Sequence, residues 1–220
     1  MLIQSDAAFK KEENTGYALG GATYLRVGVN RAGEQCQHLL NWDCKSSSLV
    51  TRSTYAAELL RACQSADHNI PLAIQLQELR YGPVGPRRAM QLRQGGLLFS
   101  IVLDVDARSV FESVKAGHMK MPQENSLFGH LAWLRELVIR QRLIRTLRWV
   151  DTRDMSADAL TKGAAPRDRL FEAMAGKLCL RHPMEGFTPV RNPKSCSQGK
   201  VLPDGDNDEA QHSPGASVGA

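Results

Sequence analysis

The chain has 220 residues, of which 42% are hydrophobic and 23% charged, and its formal net charge is +5. This length allows one domain of ordinary size with a substantial core and a tail. The longest apolar stretch, Leu97–Leu103, is too short to span a bilayer, and residues 1–11 lack the apolar run of a secretory signal. We therefore expect no membrane partner and an intracellular protein, cytoplasmic or nuclear, that is not secreted.

The positive charge is concentrated in residues 1–180, since residues 181–220 contain slightly more acidic than basic side chains. A basic globular body is typical of proteins with a polyanionic partner, most often nucleic acid, although charge alone is weak evidence. The five cysteines are scattered, with no Cys-x-x-Cys pair and no Cys/His cluster at zinc spacing. This pattern indicates reduced thiols rather than a zinc site.

The first half of the chain predicts a meander of strands and then a long helix. We expect strands at residues 2–5, 17–29 and 36–42. The first of them would end at Asp6, and the other two would form a hairpin. Ser53 or Thr54 is a suitable N-cap for the helix, which Pro71 should break or kink before a second segment continues to about Tyr81.

In the second half, strands and helices are expected to alternate. We expect a loop with some helical content at most at residues 82–96 and strands at 97–103 and 143–150. Helices are expected at 107–116, 126–141, 157–162 and about 166–178. Such an order predicts an α/β fold with a five-stranded mixed sheet flanked by helices. From residue 181 onward Pro, Gly, Ser, Asn and Asp predominate. We therefore predict a domain at residues 1–180 and a mostly disordered tail at residues 181–220.

Four carboxylates lie near predicted strand ends or on otherwise apolar helices: Asp6, Glu58, Asp106 and Asp158. Ionised carboxylates are costly to desolvate, so several that converge are most simply explained by bound divalent cations with oxygen ligands, here Mg²⁺. In α/β sheets, active sites gather at the carboxyl ends of strands. Each acid alone also has an ordinary explanation as a surface residue, an ion-pair partner or a helix cap.

Several segments together resemble the ribonuclease H domain that ends copia-type retrotransposon polyproteins. They are Ser5–Phe9, Gly16–Tyr17, Asn41–Trp42, Leu49–Leu59 and Arg148–Lys162. The resemblance covers nearly all of residues 1–178, and its most specific part is Trp-Val-x-Thr followed by Ala-Asp-x-Leu-Thr-Lys. It implies a ribonuclease H-like fold, two Mg²⁺ ions with Mn²⁺ as an alternative, and cleavage of the RNA strand of RNA–DNA hybrids.

The same resemblance implies a role for each acid. Asp6 would bridge both metal ions. Glu58 and Asp106 would hold the ion that stabilises the departing 3′ oxygen, and Asp158 would hold the ion that activates the attacking water.

Two of these positions have a competitor close by in the chain. Asp104 and Asp106 are two residues apart, so both would point to the same face if the strand continues that far. The family pattern favours Asp106, because it places the acid immediately before a short helix. Asp154 competes with Asp158, and the Ala-Asp-x-Leu match favours Asp158.

Candidates for contacting the hybrid are small hydroxyls and exposed cations: Ser46, Ser47, Ser48, Thr51, Arg145 and Arg148. The hydroxyls would contact the backbone and sense 2′-hydroxyl groups, and the arginines belong to a cationic run that a solvated face partly explains. An upstream reverse transcriptase domain or subunit is an expected protein partner.

Two other functions compete with the nuclease. The first is an inactive retroelement fragment that only binds nucleic acid, because the chain begins five residues before Asp6 and a truncated first strand would weaken the sheet centre. The second is an integrase or transposase core, against which the helical position of Glu58 argues.

Overall fold

The structure, a computed structural model, describes residues 1–9, 17–33, 35–47, 51, 53–118, 122, 124–177 and 180–190. Its strands are β1 (Leu2–Phe9), β2 (Tyr17–Val29), β3 (Gln35–Ser46), β4 (Ile101–Val105), β5 (Ile144–Val150) and β6 (Met184–Phe187). They form one sheet in the order β3-β2-β1-β4-β5-β6. Strands β1, β4 and β5 run parallel, while β2, β3 and β6 are antiparallel to their neighbours. The predicted class, a mixed α/β sheet flanked by helices, is confirmed.

The sheet has six described strands rather than the predicted five. Strand β6 pairs with the end of β5, from Leu147 opposite Phe187 to Val150 opposite Met184. It lies within the segment predicted to be mostly disordered, so that prediction is wrong for these four residues. The composition of these four residues does not indicate a strand, because the segment is anchored by hydrogen bonds to a buried carboxylate elsewhere in the chain, described below. Residues 191–220 lie outside the described part of the chain.

The first strand is longer than predicted and does not end at Asp6. Strand β1 pairs with β2 along its whole length and with β4 from Leu2 to Ser5. Met1 is buried, and its amino group donates a hydrogen bond to the carbonyl of Ser100 at 2.6 Å. Strand β1 therefore has a partner on both sides from Leu2 to Ser5 and one partner, β2, from Asp6 to Phe9.

The helices are α1 (Thr54–Tyr81), α2 (Pro86–Gln91), α3 (Arg108–Lys115), α4 (Phe128–Arg135), α5 (Asp158–Thr161) and α6 (Asp168–Met174). Ser53 is the N-cap of α1, as expected, and its hydroxyl accepts a hydrogen bond from the amide of Ala56 at 3.1 Å. Pro71 lies inside α1 without ending it, because buried residues on both sides of it, Ile70 and Ala73, keep the helix packed on the core.

Two predicted segments differ in detail. The expected loop at residues 82–96 contains α2 and a π-helical turn, Leu92–Gly96. The helix expected at 126–141 is divided into a 3-10 turn, Asn125–Leu127, then α4, then a π-helical turn, Glu136–Arg140.

The main core lies between one face of the sheet and helices α1, α3 and α4. Representative buried side chains are Ile3, Leu59, Leu103, Phe111 and Leu134. A smaller cluster on the opposite face contains Leu2, Ala22, Tyr24 and Ala173, with Leu160 of α5 packed against it. The carboxyl end of β1 therefore lies between α1 on one side and α5 on the other. Among the described residues, no helix is long and apolar enough to cross a membrane.

Candidate metal centre

Three of the four predicted acids converge at one edge of the sheet. Carboxylate oxygens of Asp6, Glu58 and Asp106 all lie within 4.8 Å of one another. Asp6 is on β1, Glu58 is on α1 and Asp106 directly follows β4. Because β1 and β4 are parallel neighbours, their carboxyl ends bring the two aspartates to the same edge. Asp6 and Glu58 are buried, with exposed fractions of 0% and 5%.

Each of these carboxylates keeps one buried oxygen that has no hydrogen-bond partner: Asp6 Oδ1, Glu58 Oε2 and Asp106 Oδ1. A buried carboxylate oxygen that accepts no hydrogen bond is unfavourable, since it has lost its hydration, and only Asp6 Oδ1 has a cation near it, Lys162 Nζ at 3.6 Å. Three such oxygens in one cluster match the donor set that a hard divalent cation prefers. The residues present therefore fit a metal ion.

The other oxygen of each carboxylate is held by a protein donor. The amide of Ala7 donates to Glu58 Oε1 at 3.2 Å. The Thr152 hydroxyl donates to Asp106 Oδ2 at 3.1 Å, and the Thr161 hydroxyl donates to Asp6. These bonds fix the orientation of the carboxylates and leave one oxygen of each without a protein donor.

The motif at residues 148–162 supplies most of these supporting groups, which the sequence highlighted without revealing their roles. Trp149 Nε1 donates to the carbonyl of Asp106 at 2.8 Å, next to the Thr152 contact with its carboxylate. Thr161 and Lys162 follow Asp158 on and after α5. The long Trp-Val-x-Thr and Ala-Asp-x-Leu-Thr-Lys match was the signal that could have identified them.

The electrostatics of the cluster reflect burial and mutual repulsion. Burial, followed by the charges of Asp106 and Asp6, raises the pKa of Glu58 to about 9. Burial and the charge of Asp6 also raise the pKa of Asp106. A bound dication would favour the ionised form of both groups and offset this repulsion.

Asp158 lies beside this cluster rather than in it. It is the first residue of α5, and burial followed by the charge of Asp6 raises its pKa to about 7. Its Oδ1 accepts a hydrogen bond from Lys162 Nζ at 2.7 Å. The structure thus places the other three predicted acids around Asp6, with Asp158 already paired to a lysine.

Asp104, the competitor of Asp106, is used elsewhere. It is fully buried on β4, and Arg148 of β5 donates to both of its oxygens, at 2.7 and 2.8 Å. The geometry therefore favours Asp106 for the metal centre. The same pair occupies the guanidinium of Arg148, which makes this predicted hybrid contact less available to a phosphate.

Asp154, the competitor of Asp158, anchors the end of the described chain. It is 1% exposed, and its carboxylate accepts hydrogen bonds from the amides of Arg181 and His182 at 2.8 and 2.7 Å. His182 Nδ1 lies 3.0 Å from the same carboxylate, and Arg169 forms an ion pair with it at 3.3 Å. These contacts hold the segment that leads into β6, and no local pattern around Asp154 indicates them.

The remaining hybrid-binding candidates divide between the two ends of the sheet. Ser46 pairs with Ala18, which in turn pairs with Ala8, so Ser46 lies at the same edge as the acids. Ser47 follows it directly, and Thr51 lies shortly before the N-cap of α1.

The last two hybrid-binding candidates are Arg145 and Ser48. Arg145 is at the start of β5, where its guanidinium donates to Ser100 Oγ at 3.4 Å, and it therefore lies at the opposite end of the sheet from the acids. Ser48 lies outside the described residues. The hybrid-binding roles stay predictions.

No protein-family model and no curated protein matches this chain. Among solved structures, it is similar to the N-terminal ribonuclease H domain of Rv2228c from Mycobacterium tuberculosis, which was solved as a fusion with maltose-binding protein. The two are 15% identical, the TM-score is 0.41, and the match covers 78% of this chain and 96% of the other. A likeness this distant supports no conclusion about activity, so the functional inference depends on the acids themselves and on the sequence motifs that surround them.

Proposed function

We propose that this chain is a Mg²⁺-dependent endonuclease of the ribonuclease H type, which hydrolyses the RNA strand of RNA–DNA hybrids. The observation that carries the proposal is the convergence of Asp6, Glu58 and Asp106, each with a buried oxygen that lacks a hydrogen-bond partner. The sequence resemblance to copia-type ribonuclease H domains supports the reaction type and the retroelement origin.

In this proposal Asp6, Glu58 and Asp106 would hold one ion, and Asp6 and Asp158 would hold a second. Such ions, Mg²⁺ or alternatively Mn²⁺, would supply activation of a water and stabilisation of the departing 3′ oxygen. Thr152 and Thr161 keep the carboxylates oriented by hydrogen bonds to Asp106 Oδ2 and Asp6 Oδ2. The two RNA fragments released would carry a 5′-phosphate and a 3′-hydroxyl at the cut.

Two features support a hybrid as the substrate. The net charge of +5 favours a polyanion, and Ser46, Ser47 and Thr51 place hydroxyl-bearing residues near the edge that carries the acids. Hydroxyl and backbone donors across a wide minor groove can distinguish an RNA strand by its 2′-hydroxyl groups. A reverse transcriptase domain or subunit is the proposed protein partner.

A labelled RNA–DNA hybrid incubated with the purified chain and Mg²⁺ tests the proposal. We expect cleavage of the RNA strand by the wild type and a loss of at least about a hundredfold in Asp106→Asn and Asp158→Asn, because each variant removes a metal ligand. Duplex DNA serves as the substrate control. Equal rates for the wild type and Asp158→Asn would refute the enzymatic function.

The basic charge also supports a second candidate, a module that binds nucleic acid without cutting it. In that case the wild type would retain the hybrid, with an affinity that falls steeply as salt rises, and would release no fragments. Asp106→Asn would then bind as well as or better than the wild type, because it removes a negative charge that faces the polyanion.

A further inference from the structure

Lys162 lies between two of the acids that the proposed function assigns to metal ions. Its ammonium is 2.7 Å from Asp158 Oδ1 and 3.6 Å from Asp6 Oδ1. Lys162 follows α5 directly, four residues after Asp158, so the short helix determines the positions of both the carboxylate and the ammonium. The side chain is 38% exposed, whereas that of Asp6 is 1% exposed. The ammonium is therefore directed inward from the surface, towards the buried acid.

The acids divide into two groups with different neighbours. Asp6, Glu58 and Asp106 each have a buried oxygen that accepts no hydrogen bond, and of these three oxygens only Asp6 Oδ1 lies within ion-pair distance of Lys162. The Lys162 charge acts on Glu58 and Asp106 without an ion-pair contact. One oxygen of Asp158 instead accepts a hydrogen bond from Lys162. The position between Asp6 and Asp158 thus already faces a positive charge, whereas the position between Asp6, Glu58 and Asp106 has no lysine or arginine in salt-bridge contact with Glu58 or Asp106 among the described residues.

We propose that Lys162 is the resident cation of the Asp6–Asp158 half of the site. This inference rests on the proposed function, since it concerns how the same acids divide between two ions. The first divalent ion binds to Asp6, Glu58 and Asp106. The second ion binds between Asp6 and Asp158 only when the ammonium withdraws, because the two cations would share the same oxygens and repel each other at a few ångströms.

This arrangement makes Lys162 a positioning residue that controls the order of metal binding. In the free protein, its charge balances Asp158 and Asp6 and keeps them close without a second ion. Removing the charge leaves two neighbouring carboxylates without a counter-ion, and a dication then binds there more tightly. Lys162→Arg keeps the positive charge, so the second ion should still bind weakly in that variant.

Mn²⁺ binding to the full chain, without nucleic acid, tests this separately from catalysis. Free Mn²⁺ is followed by electron paramagnetic resonance during a titration, which yields the number of ions and both dissociation constants. We expect the wild type to bind one ion and a second at least about tenfold more weakly, and Lys162→Met to bind the second about tenfold or more tightly than the wild type. Lys162→Arg should resemble the wild type.

Two further variants make the result specific. Lys115→Met removes an exposed lysine that pairs with Glu185 at 2.6 Å, and it should leave both constants unchanged. Adding Asp158→Asn to Lys162→Met should abolish the gain, because the carboxylate that would hold the second ion is then absent. In the double variant neither residue 158 nor residue 162 is charged, so it provides a second measurement if Lys162→Met alone folds poorly.

The outcomes separate the two proposals. A second-ion constant that agrees within about twofold between the wild type and Lys162→Met, with the first ion still bound, would overturn the role of Lys162 and leave the nuclease proposal standing. Failure of the wild type and of Lys162→Met to bind any Mn²⁺ would overturn both.

Discussion

Arg148 holds Asp104 in a buried, two-point ion pair, with donor–acceptor distances of 2.7 and 2.8 Å, only two residues before Asp106 of the metal centre. Two acids that are almost adjacent in the chain therefore have different roles. Asp104 is neutralised by an arginine across the β4–β5 pair, and Asp106 turns towards Asp6 and Glu58 at the strand end.

This difference predicts opposite effects of the same substitution. Asp104→Asn breaks a buried ion pair and should lower the free energy of unfolding by about 3–5 kcal/mol. Asp106→Asn removes repulsion with Asp6 and should leave stability without metal unchanged or slightly raised, while abolishing stabilisation by Mg²⁺. Urea unfolding of both variants, with EDTA and with Mg²⁺, measures this. Equal destabilisation of the two would contradict the assignment.

The hydroxyl of Thr152 is expected to matter for activity more than for stability. Thr152→Val keeps the shape of the side chain but removes the donor to Asp106 Oδ2 at 3.1 Å. Outer-shell donors of this kind typically change metal affinity or activity by about 10–100-fold. Initial rates of hybrid cleavage over a Mg²⁺ series would show whether the loss is in metal affinity.

Thr146→Val is the matched control for this substitution. Thr146 lies on β5, a few residues before Thr152, and its hydroxyl hydrogen-bonds with that of Thr188 at 2.9 Å. It makes no contact with the acids among the described residues. A similar loss of activity in both variants would show that Thr152 has no special role in orienting Asp106.

The sequence predicted those elements whose signals are local. Strand β2 has the predicted bounds because its mixture of glycine, β-branched and aromatic residues lies within one segment, and Ser53 caps α1 because the cap and its helix are adjacent. Strand β6 was missed because its stability depends on Asp154, about thirty residues earlier in the chain.

The candidate site shows the same division. The acids were identified from motifs, but strand alternation alone would place Asp104 and Asp106 on one face. Only the partner Arg148, on another strand, separates them in the structure. Likewise the Ala-Asp-x-Leu-Thr-Lys match identified Asp158 without revealing that Lys162 also lies 3.6 Å from Asp6, because that contact depends on how α5 packs against β1.

Gly20 is expected to be essential for the position of α5. A Cβ at this residue would lie 2.5 Å from Thr161 Cγ2 and 3.4 Å from the carbonyl oxygen of Ala157. Gly20→Ala should therefore displace Thr161, whose hydroxyl orients Asp6, and should cost about 1–3 kcal/mol of stability. Activity should fall further than stability accounts for.

Gly163→Ala is the control, since a Cβ there would meet nothing within 4 Å. Thermal unfolding and Mn²⁺ affinity of the two variants should be measured together. Wild-type behaviour of Gly20→Ala in both assays would mean that α5 can move without disturbing the acids.

The Asp154 carboxylate predicts a pH-dependent anchor for β6. Burial would raise the pKa of Asp154, but hydrogen bonds from His182 and Arg181 outweigh it and hold the pKa below its ordinary value. A lowered folded-state pKa means that the stabilisation is complete above the unfolded value of about 3.9 and is lost as the pH falls through the folded value. Asp154→Asn should thus cost about 1.5–3 kcal/mol at pH 7 and progressively less below about pH 4.

Urea unfolding of the wild type and Asp154→Asn between neutral and acidic pH measures this loss, and hydrogen exchange locates it. Amides of Met184–Phe187 should exchange faster in the variant at neutral pH, because their strand would lose its anchor. Asp151→Asn is the control, since in the described part of the chain the Asp151 side chain hydrogen-bonds to Arg153 and not to the segment that leads into β6, and the substitution should leave exchange in β6 unchanged. A stability difference that stays constant down to pH 3.5 would show that the ionised form of Asp154 is not what holds the segment, and that the amide–oxygen contacts at 2.7 and 2.8 Å are sufficient without the charge.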